Sequence, residues 1–542
     1  IRQACRAAVP EALRAWLHGR IAAALEAQHA APGRIAPHAR AAGELRSAGT
    51  QFRAAADAAR AAGRLSEEVR LLATAAECFD ELGDRPARFE SLARRAMAAL
   101  EALPPAQAME AAEALVDAAA GDRELGIALR LVGACHLNGA RFERAAPELE
   151  RAIECSERGG DTDSSCHARY LLALTVVQTQ GAAPALERIE SLLAWAESQP
   201  DIGLRHAFIA DLAILLDQAD QRRRARPHFE RALAYFDAVR AVGDAASTRM
   251  MFARSLGLLG DLAQACALLE VAEREREALS EGAGGQGIEA LNLGRAYCEL
   301  GRYDEALRLL EPTRQRLAEG GTSVVGTAVA LVMARVLLHL GQGARAQALC
   351  AEPGADAPFH QRATWLWTCA LLALERPAER TRLLGAAERE FERTDLPFVR
   401  LPIQFDRLGS EAADDAAVAS CRLLINECER RELPAPQMLG RARLAQLLLA
   451  QRELDTALTV VRGLQADLAS CHPVGMYLPE LHWICHRVAH AAGDSAFAAH
   501  CLDAAVRWIR DTALPHVPAP YRDSFVRRQP INRRILAAAS LL

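Results

Sequence analysis

The chain has 542 residues, of which 51% are hydrophobic and only 5% aromatic, with alanine and leucine dominating the apolar content. This composition favours closely packed helices, so we predict an all-α protein. The 64 basic and 69 acidic residues give a net charge of -5, which argues against a general nucleic-acid-binding or membrane-surface protein. Every basic residue is arginine. A Walker phosphate loop and a Schiff-base enzyme both need lysine, so neither activity can reside in this chain.

Fourteen cysteines are scattered along the predicted helices, mostly beside alanine and leucine. Free cysteine packs as a small apolar residue, so we predict reduced core cysteines in a cytoplasmic protein. The sequence contains no secretory signal and no apolar run of about 18 residues, the length that a membrane-spanning helix needs. We therefore predict no membrane contact.

Residues 1–30 are predicted to form one or two helices, with Pro10 starting the second. The apolar residues of that helix, among them Leu13, Trp16, Leu17 and Ile21, fall roughly on one face, which is typical of a helix that packs on a core. Because the chain opens inside this pattern and without methionine, we expect it to be part of a longer polypeptide.

A repeat array is predicted for residues 31–510, and its clearest copy spans residues 293–310. This copy contains the Leu-Gly-x-x-Tyr and Ala-x-x-x-apolar parts of the tetratricopeptide pattern, a helix, turn and helix. Gly294 lets a second helix approach, Gly301 ends the first helix and Ala306 keeps the second helix close to it. The space between the two helices is predicted to be filled by Tyr297, Tyr303 and Leu310.

Small residues recur at the position of Ala306 with intervals of 40 or 41 residues. Such a period indicates stacked helical hairpins. We therefore predict an α-α superhelix, a right-handed solenoid of about ten to twelve tetratricopeptide-like hairpins. The register weakens near 395–440, where Pro397 and Pro434 are among the prolines expected to mark breaks. The equivalent positions are Ala145, Ala185, Ala225, Ala265, Ala306 and Ala346.

The last segment, residues 511–542, is rich in proline and does not follow the repeat. The final hairpin of a solenoid leaves an apolar face bare unless something covers it. We therefore predict that residues 511–542 form a C-terminal cap.

Three stretches resemble parts of large bacterial signalling ATPases of the STAND class. Residues 1–4 with 17–26, and then 34–43, resemble the junction at which a winged-helix module leads into MalT-like tetratricopeptide repeats, and residues 514–533 resemble the closing segment of those repeats. The resemblance implies that residues 1–30 are the helical end of a preceding winged-helix and ATPase module. It also implies a sensor arm of a transcriptional regulator, or of a cyclase or kinase fusion, that holds the ATPase inactive until an inducer or partner protein binds.

Cysteine and histidine cluster between residues 471 and 501. Imidazole and thiolate at helical spacing can hold zinc, but the cluster has no Cys-x-x-Cys pair and the repeat register places several members inside a helix pair. We predict core packing, with a zinc site as the alternative, and assign no metal or cofactor. The members are Cys471, His472, His482, Cys485, His486, His490, His500 and Cys501.

Two other features resemble phosphate-binding elements. The glycine-rich stretch Gly282–Gly287 follows a charged helix with no strand before it, so we interpret it as a loop between repeats. Arg222, Arg223 and Arg224 could grip phosphate or an acidic partner peptide. The alternative is a solvated helix start whose arginines pair with neighbouring acidic residues.

Trp365 and Trp367 lie in an apolar run, and we predict that they pack in the core. The alternative is a stacking platform for a ligand in the concave groove. No nucleophile lies in a strained elbow motif, so no catalytic triad is assigned.

These observations predict a non-catalytic binding module whose concave face binds a protein or peptide partner, or a small-molecule inducer. With the resemblance added, the prediction is a sensor arm whose ATPase or other catalytic domain lies outside this chain. The alternative is a freestanding tetratricopeptide scaffold that recruits a protein partner.

Overall fold

The computed structural model describes residues 10–62, 64–139, 141–279, 287–319, 324–354, 357–391 and 396–541. In these ranges the chain forms 28 α-helices and no strand, which confirms the all-α prediction. Each helix packs mainly against its neighbours along the chain, as in an α-helical solenoid. None of the helices in the described ranges is both long enough and apolar enough to cross a membrane.

The helices form two compact units, and the first contains residues 1–201 and 278–283. Its helices α1 to α10 are Glu11–Ala27, Pro32–Ala41, Leu45–Ala61, Leu65–Glu81, Arg85–Ala102, Pro105–Ala118, Asp122–Asn138, Phe142–Arg158, Thr162–Gln180 and Ala182–Ser198.

The second unit contains residues 202–277 and 284–542. Its helices α11 to α19 are Ile202–Gln218, Arg222–Val239, Val242–Leu259, Leu262–Leu279, Ile288–Glu299, Tyr303–Glu319, Val324–His339, Gly343–Leu349 and Phe359–Leu372. Helices α20 to α26 are Pro377–Arg389, Pro397–Leu408, Asp415–Arg430, Pro434–Ala450, Leu454–Asp467, Leu478–Ala491 and Ser495–Arg507. A π-helical stretch, Trp508–Ala513, and two short 3₁₀ turns lead into α27, Arg522–Arg527, and α28, Pro530–Ala538.

The hairpin of α15 and α16 contains the repeat pattern at residues 293–310. A Cβ atom on Gly294 would lie 2.6 Å from Cδ2 of Leu310, so only glycine allows the observed approach of the two helices. Gly301 ends the first helix with a φ of +75°, a conformation that other residues rarely adopt. Ala306, Leu310 and Tyr303 are fully buried. The equivalent alanines at 145, 225, 265 and 346 are also buried.

The region near 395–440 is helical where the structure describes it. Pro397 and Pro434, which were expected to mark breaks, each stand at the start of a helix, α21 and α23. Proline is well suited to this position because its fixed φ is helical and the first turn has no use for its missing N–H. These two prolines therefore begin helices that continue the row of packed pairs.

The second unit contains contacts between distant parts of the chain that the repeat period does not predict. The backbone N–H of His472 donates to the carbonyl of Gly260 at 2.9 Å, and Arg431 pairs with Asp220, 211 residues away, at 3.1 Å. The backbone carbonyl of Ser524 lies against Gly341. The turns of the earlier hairpins in this unit therefore pack against its later segments, two of which are loops or turns.

The predicted C-terminal cap packs on two surfaces of the second unit. Helix α28 contacts α25 and α26, the last helix pair of the array. The same segment shares an apolar cluster with the hairpins at residues 298–340, in which Phe525 and Ile535 lie beside Tyr303 and Leu340. The chain end thus joins the last hairpin to the hairpins at residues 298–340.

Candidate ligand-binding site

An internal cavity in the second unit brings together residues from five alternate helices and the start of α28. The space that remains for the centres of water molecules is about 50 Å³, enough for a few waters. We call it the inner cavity. It is lined by Arg335, Leu338 and His339 of α17, Leu371 and Leu374 at the end of α19, Asp406 of α21, Arg443 of α23, Gly475, Met476, Tyr477 and Glu480 at the start of α25, and Gln529, Pro530 and Ile531 of α28.

A buried charge network forms one wall of the inner cavity. Asp406, only 1% exposed, accepts hydrogen bonds from Trp367 Nε1 at 2.8 Å and from Arg443 Nη2 at 2.8 Å. Arg443 donates through Nη1 to Glu480 at 2.7 Å, and Arg380 lies 3.7 Å from Asp406. Buried charges are tolerated when they are paired and hydrogen-bonded in this way. The pairing of Asp406 with Arg443 and Trp367 therefore gives this wall a structural role, although Nε of Arg380 is buried without a hydrogen-bond partner.

The two tryptophans have different environments. Trp365 is partly buried and donates through Nε1 to the carbonyl of Cys350 at 3.2 Å. Trp367 is buried, and the guanidinium carbon of Arg335 lies 4.6 Å from the centre of its ring. Trp367 thus packs in the core as predicted, and the cation on its ring belongs to the protein itself.

Three arginines form a row along consecutive hairpins of the second unit. Arg254, Arg295 and Arg335 lie on α13, α15 and α17 at intervals of 41 and 40 residues. Arg254 pairs with the buried carboxylate of Asp217 at 2.7 Å. For Arg295 and Arg335, no carboxylate of the described residues lies within 4.0 Å. The arginines recur with the same period as the alanines, so the repeat alignment contains enough information to identify them. The period does not show which of these arginines have a carboxylate partner.

Electrostatic interactions connect the members of this row. The pKa of Arg295 is lowered, first because the surrounding protein desolvates its guanidinium even though the residue remains exposed to water, and then by the neighbouring positive charge of Arg335. His339, one helical turn after Arg335, has its pKa lowered to about 3 by burial and by Arg335. His339 is therefore neutral at physiological pH and adds no positive charge to the inner cavity.

The arginines at 222–224 differ in their exposure, and Arg222 alone is buried. Arg222 is 3% exposed and lies 3.1 Å from Asp220 Oδ1, and it also donates to the carbonyl of Arg431. The prediction that Arg222 binds a partner conflicts with this burial, because its guanidinium is engaged inside the protein. Arg223 and Arg224 are exposed, and the backbone N–H of Arg223 donates to Glu432 at 2.8 Å.

The cysteine and histidine cluster at 471–501 is dispersed among packing contacts. His482 Nδ1 lies 3.2 Å from Gln465 Oε1, and His486 Nδ1 lies 2.9 Å from the carbonyl of Ala498. Cys485 forms a hydrogen bond with Cys501 that, with burial, raises the pKa of Cys485 well above its ordinary value. Within the described residues these side chains do not converge as three metal ligands.

Only one trio in the described ranges has the spacing of metal ligands, namely Asp304, Glu305 and His516. Its Glu305 carboxylate is already paired with Arg302. The glycine-rich stretch at 282–286 and residues 1–9, which carry part of the family resemblance, lie outside the described residues.

The chain was also compared with known proteins. No protein-family model matches it, and no curated protein matches it at a significant level.

Proposed function

We propose that this chain is a non-catalytic sensor arm of a larger bacterial signalling ATPase or transcriptional regulator, and that it binds its inducer or partner on the concave side of a tetratricopeptide-like superhelix. The observation that carries the proposal is the convergence of α17, α19, α21, α23, α25 and the C-terminal segment on the inner cavity. A ligand there touches both the hairpins and the returning chain end. Its binding energy can therefore differ between two arrangements of the arm, which is what a sensor requires.

The charged groups of the inner cavity favour binding over catalysis. Asp406 and Glu480 both accept hydrogen bonds from Arg443. Each of these carboxylates is engaged with an arginine of the protein itself, whereas a general acid or base must reach its substrate within hydrogen-bond distance. The nearby His339 is neutral, and its Nδ1 lies 3.5 Å from the hydroxyl of Tyr303. These groups suit the recognition of a polar ligand.

Helix α1 supports an association with a further domain or protein. Its apolar face was expected to pack on a core, yet Leu13, Trp16, Leu17 and Ile21 are 47%, 59%, 41% and 41% exposed. Several large exposed apolar residues on one helix mark an interaction surface. In the proposed sensor arm this surface docks on the preceding winged-helix and ATPase module. In the alternative, a freestanding scaffold, the same surface recruits a separate protein.

The coding sequence upstream of Ile1 discriminates between the two versions. We expect it to encode a nucleotide-binding domain with a Walker lysine, followed by a winged-helix module. If no such domain is encoded there, the sensor-arm version is overturned and the scaffold version remains.

The docking surface can be tested by expressing the upstream module and this chain separately and measuring their association. Trp16→Glu should weaken the association at least about tenfold, because it places a charge in an apolar contact. Leu423→Glu is the matched control, since Leu423 is 68% exposed on α22 in the other unit. Equal affinities for the wild type and Trp16→Glu would contradict docking through α1.

A further inference from the structure

We propose that Arg295 and Arg335 bind a small oxyanion, the phosphate or carboxylate group of a ligand, at the edge of the inner cavity. This inference rests on the proposed sensor function, because the ligand would be the inducer. It adds the chemical class of that inducer and the two residues that recognise it.

Arg295 and Arg335 differ from the neighbouring arginines in having no counter-charge among the described residues. Arg254, which precedes this pair in the row, is neutralised by Asp217, and Arg443 across the cavity is neutralised by Asp406 and Glu480. In the described ranges Arg295 and Arg335 have no such partner within 4.0 Å. The two arginines hold equivalent positions on α15 and α17, one repeat apart, and like charges on neighbouring helices repel one another less when an anion lies between them. A bound oxyanion supplies that anion.

The side chain of Arg335 is held in place before any ligand binds. Its guanidinium lies over the ring of Trp367, and the ring is held in place by the hydrogen bond from its Nε1 to Asp406. Stacking uses the face of a guanidinium and leaves the N–H groups at its edge free to donate. A ligand therefore meets a donor that is already oriented, which lowers the entropic cost of binding. Arg295 does not line the inner cavity. It is exposed one repeat before Arg335, so we place it on the outer side of the bound anion.

The charges around the site favour an anion. The carboxylate of Glu299, one helical turn after Arg295, acts to raise the pKa of Arg295. It lies beyond ion-pair distance from the guanidinium. The other two carboxylates near the site are already paired with arginines. The neutral His339 contributes no charge. The four arginines near the site are Arg295, Arg335, Arg380 and Arg443, and the three carboxylates are Glu299, Asp406 and Glu480.

The size of the space limits the ligand. About 50 Å³ for water centres corresponds to a few water molecules, which is the volume of one oxyanion group and far less than a peptide strand occupies. Phosphate and carboxylate both match the planar fork of arginine. The site therefore suits the anionic end of a small molecule.

Calorimetric titration of the intact chain tests this inference, with inorganic phosphate in one arm and succinate in the other, at constant ionic strength set with chloride. We expect saturable binding in at least one arm, and the responding arm identifies phosphate or carboxylate as the chemistry. Arg295→Gln should weaken that binding about ten- to hundredfold, as expected for the loss of a charged hydrogen-bond donor. Arg295→Lys should weaken it less, because the charge remains and only the fork is lost.

Arg527→Gln is the matched control, because Arg527 is 71% exposed and pairs with Asp523 on its own helix. It should leave the affinity unchanged. Arg335→Gln is a second variant, but it also removes the stacking on Trp367 and can therefore change the stability of the protein. Arg295 is exposed, so a loss of affinity in Arg295→Gln is easier to assign to ligand binding alone. Absence of saturable binding in both arms would overturn the proposal, as would unchanged affinity in a folded Arg295→Gln protein. A further titration uses an uncharged compound, glycerol, under the same conditions. If glycerol bound and neither anion did, the oxyanion assignment would be overturned and the proposed sensor function would stand.

Discussion

Replacing Gly294 by alanine should destabilise the second unit, whereas the same replacement at Gly257 should stabilise it. Both glycines lie in helices of this unit, Gly294 in α15 and Gly257 in α13. A Cβ atom at Gly294 would lie 2.6, 2.7 and 2.8 Å from three side-chain carbons of Leu310, whereas a Cβ atom at Gly257 would meet nothing within 4 Å. Leu310 is fully buried and has little room to move away.

The expected magnitudes follow from two terms. Alanine is favoured over glycine inside a helix by about 0.8–1.0 kcal/mol, and this gain applies to both variants. Overpacking a dense interior costs about 1–3 kcal/mol, and this cost applies only at Gly294. The free energy of unfolding of Gly294→Ala should therefore fall by about 0–2 kcal/mol, and the two variants should differ by about 1–3 kcal/mol.

Urea unfolding followed by circular dichroism measures this difference, because both substitutions act on the same unit and the common helix term cancels. The denaturation midpoints should increase in the order Gly294→Ala, wild type, Gly257→Ala. If both alanine variants were equally stabilised, α15 and α16 could not approach as closely as the structure shows, and the role given to Gly294 in the repeat would be refuted.

Three further predictions concern the same unit. Ala306→Leu should cost about 1–3 kcal/mol by overpacking the hairpin, and an unchanged urea midpoint would show that the repeat register is misassigned. Asp406→Asn should cost about 3–5 kcal/mol, because it leaves the buried guanidinium of Arg443 with one carboxylate; a melting temperature equal to that of the wild type would contradict this. The pKa of His339 falls from 6.5 to about 3 on folding, so the unfolded chain takes up the proton first and stability is lost as the pH falls from about 6.5 towards 3. His339→Gln should reduce this acid sensitivity, as measured by urea midpoints at about pH 7 and pH 5; an unchanged difference between the two would contradict the assignment.

The hairpins could be predicted from the sequence because their determinants are local. Gly294, Gly301 and Ala306 act within one helix pair, and their spacing repeats with the structural unit. The start of α1 after Pro10 is likewise a local feature. The exposure of Trp16 could not be predicted, because periodicity shows that residues share a face but not whether another surface covers that face.

The inner cavity could not be predicted because it depends on contacts between residues that are far apart in the sequence. Residues of α17 and of the C-terminal segment line it together, and Leu340, which follows α17, is separated by 184 residues from its partner Ser524. Whether such residues meet depends on the small rotation between successive hairpins, added over several of them. No single copy of the repeat contains that information. That Arg295 and Arg335 have no carboxylate partner among the described residues is evident only once these contacts are known.

The position of Arg335 explains how a ligand and the chain end can act on the same element. Arg335 lies near the end of α17, and the helix is followed at once by Leu340, whose carbonyl accepts a hydrogen bond from Ser524 Oγ at 2.7 Å. The side chain of Gln342 donates to the same hydroxyl at 2.7 Å. Arg335 and both contacts lie within eight consecutive residues, which include the last turn of α17 and the turn that follows it. If an anion binds as proposed, we expect it to act on the helix end that anchors the C-terminal segment.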